Sequence, residues 1–295
     1  MKILILTAQK HIYSNVVMNR LIHSSFLKRH QVMLLEETAL IPGYRWAAAL
    51  RRYLKISGFR YVFVQACKQY IFRFRQFIDR ILKQYKSPYF PYTHSVQRNW
   101  SRQAIKALNS PDIVKMIQNY QPDMILSIFS RDIIPRSIFS IPKYGCVNLH
   151  PGLLPFYRGV SPTFWCLANR ETHAGVTLHH VDAKIDQGAI VSHRSIKVTR
   201  QGTEHGLYLV CSWMGADLIS KFVFAADIDK DTVLEKPITD TQGQYYSLPD
   251  KKSVARFRKN GHCFFKLWEF IHPARLIQQL RHDYSNKLRL PDFNR

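Results

Sequence analysis

The run Val147-Asn148-Leu149-His150 alternates apolar and polar residues and stops against Pro151-Gly152. Alternation of period two marks a strand and puts Asn148 and His150 on one face. The Pro-Gly dipeptide bends the chain, so both polar side chains sit at the strand's end. In an open α/β sheet that end faces the crevice where ligands bind. Downstream lie Leu153-Leu154-Pro155, Tyr157-Arg158-Gly159, Gly175-Val176-Thr177-Leu178-His179-His180 and Ile185-Asp186-Gln187-Gly188, which add a carboxylate to the amide and the imidazole.

The remaining pattern fits an α/β chain. Residues 2–7 read as a buried first strand and not as a leader, 14–29 as a helix with Ser14 as N-cap, and 31–37 as a strand, an opening βαβ unit. The turn between first strand and helix holds no glycine, which removes the usual dinucleotide fingerprint. From Ser101 the alternation resumes: 101–107 and 111–120 as helices, 124–129 and 145–150 as strands, 163–169 as a helix, 175–181 and 189–198 as strands, and 203–224 as a long helix. A mostly parallel sheet with an antiparallel edge fits this order. With 295 residues and 46% hydrophobic content, the chain buries a sizeable core, in one large domain or one and a half.

The alternation is interrupted at 44–86, where every charged residue except Asp79 is Lys or Arg and the spaces between are filled with Trp, Tyr, Phe, Ile and Leu. Gly58 divides this segment into two helices. Phe74, Phe77, Ile78, Ile81, Leu82 and Tyr85 follow helical spacing and predict one apolar face. Two readings stand: an interfacial helix on an anionic membrane, or a hairpin packed on the core with a solvated basic face. The formal charge of +23 attracts polyanions of any kind, whether nucleic acid, lipid headgroups or phosphorylated substrates. Five well-separated cysteines, none in a CxxC pair, argue against disulfides or zinc and for a reducing cytoplasm. No stretch of about 18 apolar residues is free of charges, so no span is expected. His179 and His180 point to opposite faces of a strand and cannot ligate one metal together; Asp182 with His180 lacks a third ligand, and no metal is expected.

The Asn-x-His pair, the Leu-Leu-Pro turn and the Asp-x-Gly resemble the folate-dependent formyltransferases, strongly over residues 100–200 and weakly over the opening unit. The resemblance implies a Rossmann-like formyltransferase core over 1–200, with the basic helical insertion 44–86 and a helical C-terminal extension, 201–295, packed on it. It implies 10-formyltetrahydrofolate as donor and Asn148, His150 and Asp186 as the catalytic group. Formyl transfer needs a donor for the oxyanion, a base for the amine proton and a group that holds the imidazole. Asn148 supplies the amide N–H, His150 donates or relays a proton, and Asp186 raises the imidazole pKa and accepts a proton through water. The family holds its pterin between two loops, here 127–135 with Phe129, Ser130, Arg131 and Ile133, and 181–186 with Val181, Asp182 and Ile185. Tyr157 and Arg158 follow the catalytic turn as acceptor contacts, with a structural ion pair the alternative for Arg158. Gly152 departs from the family's serine.

Among acceptors, the chain resembles most the enzymes that formylate nucleotide- or lipid-linked amino sugars in cell-surface polysaccharide and glycolipid synthesis. Methionyl-tRNA and glycinamide ribonucleotide formylation are the alternatives, as is a nucleic-acid-binding protein on this scaffold, although no RNA-binding motif occurs. The expected partners are thus the folate donor, the amino-sugar acceptor, the inner face of an anionic membrane through 44–86, and a second copy of the chain through 203–224 or the aromatic tail.

Overall fold

A computed structural model describes residues 1–23, 29–41, 43–95, 99–199, 202–228 and 243–285. The expected helix end at 24–28 and much of the expected C-terminal extension, 229–242 and 286–295, lie outside the described residues. The strands are β1 (Lys2–Ala8), β2 (Gln31–Glu37), β3 (Trp100–Ile105), β4 (Met124–Ile128), β5 (Cys146–His150), β6 (Tyr157–Gly159), β7 (His173–His180), β8 (Ile190–Lys197) and β9 (Gln244–Tyr246). The helices are α1 (Ile12–His23), α2 (Trp46–Ser57), α3 (Phe59–Ile81), α4 (Pro111–Tyr120), α5 (Arg136–Phe139), α6 (Pro162–Ala168), α7 (Glu204–Ile228), α8 (Lys251–Lys259), α9 (Leu267–Ile271) and α10 (Pro273–Ser285).

Seven strands form one sheet in the order β3-β2-β1-β4-β5-β7-β8, parallel from β3 to β5 and antiparallel from β5 to β8. β6 and β9 pair as a separate parallel ribbon. The apolar run of β1 is buried on both faces, as a central parallel strand must be. Ile3 and Ile5 join the larger core with α1 and α7; Leu4 and Leu6 join a smaller one with Ile113 and Ile117 of α4 and Ile138 of α5.

Two expectations change. Residues 101–107 are not helical: Trp100–Ile105 is an edge strand in parallel register with β2. Gln, Ala and Lys favour a helix, but pairing with β2 overrides that weak preference. The first helix starts at Ile12, and Ser14 lies inside it; the His11 Nδ1 takes the N-cap role by accepting the Ser14 N–H at 3.2 Å. α7 is long and apolar enough to cross a membrane by length and composition, yet 67% of its most apolar stretch is buried within the protein. It packs on α1 and β7, and Arg20 of α1 pairs with its Asp217 at 2.5 Å. Most of that apolar surface is spent on the core, while Phe224 and Ile228 near the end of α7 are exposed.

The division at Gly58 (φ +83°) between α2 and α3 matches expectation. α3 buries Tyr61, Lys68, Phe72 and Asp79 on one face. Lys68 Nζ reaches Glu204 Oε2 of α7 at 2.6 Å, and Asp79 accepts from Arg75 Nε at 2.8 Å. One face of the insertion thus packs on the core, while Phe74, Phe77, Ile81, Leu82 and Tyr85 are exposed and Ile78 is half-buried.

Candidate active site

β5 ends at His150, and the turn that follows is held by Thr177 of β7: its Oγ1 donates to the Gly152 carbonyl at 2.7 Å and accepts the Leu154 N–H at 3.1 Å. The Leu154-Pro155 bond is cis. A Cβ on Gly152 would stand 2.7 Å from Pro162 Cβ and 3.0 Å from His150 Nε2, so Pro162 fills the space beside the turn where the family's serine would project. Asp186 adopts a left-handed conformation (φ +52°), and a Cβ on Gly188 would lie 1.9 Å from the His180 carbonyl. The Asp-x-Gly spacing therefore lets this loop fold back tightly over the end of β7.

These turns bring Asn148, His150 and Asp186 together. His150 Nδ1 lies 3.6 Å from Asp186 Oδ2, and its Nε2 donates to the Tyr157 carbonyl at 2.6 Å. Burial lowers the pKa of His150 and outweighs Asp186, which raises it as expected, so the net shift is downward. With Nε2 donating to Tyr157, Nδ1 is the ring nitrogen left on the Asp186 side. Burial alone would raise the Asp186 carboxyl, but His150, His179 and the Gly159 N–H, 2.8 Å from Oδ2, outweigh it and hold the group well below the ordinary carboxylate range.

His179 belongs to this cluster, although the sequence reading set it aside. Ser127 Oγ donates to Asn148 Oδ1 at 2.8 Å, Asn148 Nδ2 donates to His179 Nε2 at 3.1 Å, and His179 Nδ1 donates to the His180 carbonyl at 2.9 Å. His179 Nε2 is also 3.5 Å from Asp186 Oδ1. The chain of bonds fixes the Asn148 amide and leaves one of its two N–H groups for the cavity. His180 points the other way, against Gly145 and Phe222.

The cluster opens into a cavity of about 810 Å³. Phe129, Ser130, Arg131, Ile133, Val181, Asp182 and Ile185 all line it. Glu37, at the end of β2, ties down one loop by accepting from the Ser130 hydroxyl and, at 2.5 Å, from the Arg131 N–H. Tyr157 and Arg158 are not brought into the cavity. Tyr157 is buried, stacks on Tyr246 and donates to Glu171 at 2.6 Å; Arg158 donates to the Gly243 carbonyl and has no ion-pair partner among the described residues.

The cavity has further walls that the sequence reading missed. Tyr44 and, from α2, Arg52, Tyr53 and Ile56 close one side, so the basic insertion contributes to the site. Arg52 Nη1 donates to Tyr44 Oη at 2.7 Å. His11, Phe129 and Tyr208 form an aromatic wall, with ring centroids 5.3 to 6.1 Å apart. Among the described residues, no group of three His, Cys, Asp or Glu side chains is placed to hold a metal.

Residues 81–216 match the formyl transferase family model. A methionyl-tRNA formyltransferase from Geobacter metallireducens is 37% identical over 114 residues, covering 39% of this chain and 37% of that protein. The bifunctional polymyxin resistance protein ArnA from Wigglesworthia glossinidia brevipalpis is 37% identical over 141 residues, 48% of this chain and 21% of its own. The match therefore spans little more than a third of the first relative and a fifth of the second. In fold, a sugar N-formyltransferase from Shewanella sp FDAARGOS_354 superposes with a TM-score of 0.52 at 16% identity, over 84% of this chain and 77% of that one. A 4-N formyltransferase from Francisella tularensis gives 0.50 at 19% identity, over 86% and 78%. Asn148, His150, His179 and Asp186 all lie within residues 81–216, the stretch that matches the formyl transferase model.

Proposed function

We propose that the protein is an N-formyltransferase that moves a formyl group from 10-formyltetrahydrofolate to the amine of a nucleotide- or lipid-linked amino sugar. The observation that carries the reading is the cluster of Asn148, Asp186 and the buried His150 and His179 on the wall of the cavity, inside the stretch that matches the formyl transferase model. The amine attacks the formyl carbon, and the free Asn148 N–H meets the oxyanion as it forms. The amine proton passes to the Asp186 carboxylate through water, with His150 Nδ1 beside the same path. Collapse of the intermediate breaks the bond to the folate nitrogen, which takes up the proton and leaves as tetrahydrofolate. Phe129, Ile133, Val181 and Ile185 offer the pterin apolar walls, and Ser130, Arg131 and Asp182 bring polar groups from the same loops.

Amino-sugar specificity draws on the fold shared with solved sugar N-formyltransferases. Arg52, Tyr44 and Tyr53 give the acceptor side a cation and phenol hydroxyls suited to a polar, phosphate-linked sugar. Free cysteines throughout support work in the reducing cytoplasm. A second reading, formylation of methionyl-tRNA, is favoured by the Geobacter match and the +23 charge. Purified protein supplied with 10-formyltetrahydrofolate and a panel of nucleotide-linked and lipid-linked amino sugars, glycinamide ribonucleotide and methionyl-tRNA tests these readings by release of tetrahydrofolate. Turnover with an amino sugar, lost in His150→Ala and Asp186→Ala, is the expected result. Turnover only with methionyl-tRNA moves the chain to the second reading, and no turnover with any acceptor overturns the activity.

A further inference from the structure

α3 is apolar on two opposite faces. Its inner face packs through Tyr61 and Phe72. On the outer face Phe59, Phe63, Tyr70, Phe74, Phe77 and Ile81 are each 50 to 74% exposed. At 3.6 residues per turn these six fall within about 60° of one another, a straight stripe roughly 33 Å long on the side away from the core. Single exposed apolar residues are ordinary on a protein surface, but a continuous line of six large side chains is not. Propensity does not require it either, since Lys, Glu or Gln at these positions would make as good a helix.

Charge identifies what the stripe faces. Arg60, Arg73 and Arg80 are exposed on α3, and Lys83 and Lys86 just beyond its end. The one acid of the segment 44–86, Asp79, is fully buried and held by Arg75 and Ser87. No exposed acid in the insertion therefore offsets these cations. A second copy docking through the same stripe would bring its own Arg60, Arg73 and Arg80 against them, with no acid of this segment to pair them. A nucleic acid would want a groove that tracks phosphates between stacking rings. Here a convex helix presents a line that ends in the aliphatic Ile81 and Leu82, with cations at its margins. That arrangement suits an anionic bilayer: the apolar line enters the acyl boundary while arginine and lysine stems reach back to the headgroups.

We propose that the outer face of α3 is a docking surface for anionic lipid bilayers. It goes beyond the formyl-transfer reading and stands without it, since binding needs no turnover. Docking also bears on the site, because α2, joined to α3 through Gly58, walls the cavity.

The test is flotation of the full chain with vesicles of phosphatidylcholine containing phosphatidylglycerol, and with phosphatidylcholine alone. Binding to the anionic vesicles is expected, weakened at least about ten-fold by neutral vesicles or high salt. The triple variant Phe63→Ser, Phe74→Ser, Phe77→Ser, its fold checked by its melting curve, is expected to lose about ten-fold or more in binding. The separate variant Arg60→Gln, Arg80→Gln is expected to lose anionic selectivity while keeping the stripe. Equal binding to neutral vesicles, or unchanged binding of the triple variant, overturns the proposal. Self-association in sedimentation that the triple variant abolishes, with no vesicle binding, assigns the stripe to a second copy instead. Displacement of the protein from vesicles by single-stranded RNA at physiological salt assigns it to nucleic acid.

Discussion

His179 Nε2 accepts a hydrogen bond from Asn148 Nδ2 at 3.1 Å. The two residues are register partners on antiparallel strands, so their side chains meet across the sheet without any help from a loop. With Ser127 on its oxygen, the Asn148 amide cannot flip without breaking both bonds.

His179→Ala should therefore loosen the group proposed to meet the oxyanion. Removing such a donor outright, as in Asn148→Ala, typically costs about 10²–10³ in rate. A loss of roughly ten-fold to a hundred-fold in kcat is expected for His179→Ala, with the KM for donor little changed and partial recovery in His179→Gln. Steady-state tetrahydrofolate release separates these values. A wild-type kcat in His179→Ala would reduce His179 to packing.

Gly152→Ser restores the residue the family favours, and in this chain it should do harm. The new Cβ would meet Pro162 Cβ at 2.7 Å and crowd the Nε2 through which His150 donates to Tyr157. Overpacking of this kind costs about 1–3 kcal/mol. Lower stability in urea and a lower kcat are expected, both restored in part by adding Pro162→Ala. Activity and stability equal to the parent would show that the turn yields freely.

Burial lifts the Glu37 carboxyl from 4.5 to about 7 against the pull of the Ser130 hydroxyl and the Arg131 N–H. The folded chain thus holds this proton more tightly than the unfolded chain. The contribution is full below pH 4.5, declines as pH rises, and is gone above about 7. Its size is on the order of 3 kcal/mol. The difference in unfolding free energy between the parent and Glu37→Gln, measured in urea from pH 4 to 8, should shift across that window in favour of the variant. A constant difference would mean that Glu37 titrates as an ordinary carboxylate.

What the sequence disclosed follows from how local each feature is. Asn148, His150 and the loop at Asp186 were legible because a strand end, a Pro-Gly bend and an Asp-x-Gly turn each act within a few residues. The two faces of His179 and His180 were legible too, but not which face meets Asn148, because that depends on the register of β5 against β7. Arg52 and Tyr53 could be read as basic and aromatic helix residues; their place at the cavity comes from how α2 lies over the sheet. Residues 101–107 read as a helix because the exposed edge strand Trp100–Ile105 lacks the alternation that marks one, and its partner is remote in the chain.

The contact of Lys68 with Glu204 fastens the insertion to the core. The 2.6 Å pair is buried, with side chains 6% and 7% exposed, and Lys68 Nζ also donates to Tyr13 Oη at 3.4 Å. Tyr13 in turn stacks on Tyr208, a wall of the cavity, at 3.6 Å. Removing one partner leaves the other as an uncompensated buried charge, at a cost of about 3–5 kcal/mol, whereas replacing both with apolar groups is often close to neutral. Lys68→Met should therefore lower Tm by roughly 5–10 °C in a domain of this size. Lys68→Met with Glu204→Leu should recover most of that loss. Calorimetry of the parent, both single variants and the double variant completes the cycle. A double variant as unstable as the sum of the singles would show that the pair does not act as a unit, and that α3 is held by its apolar face alone.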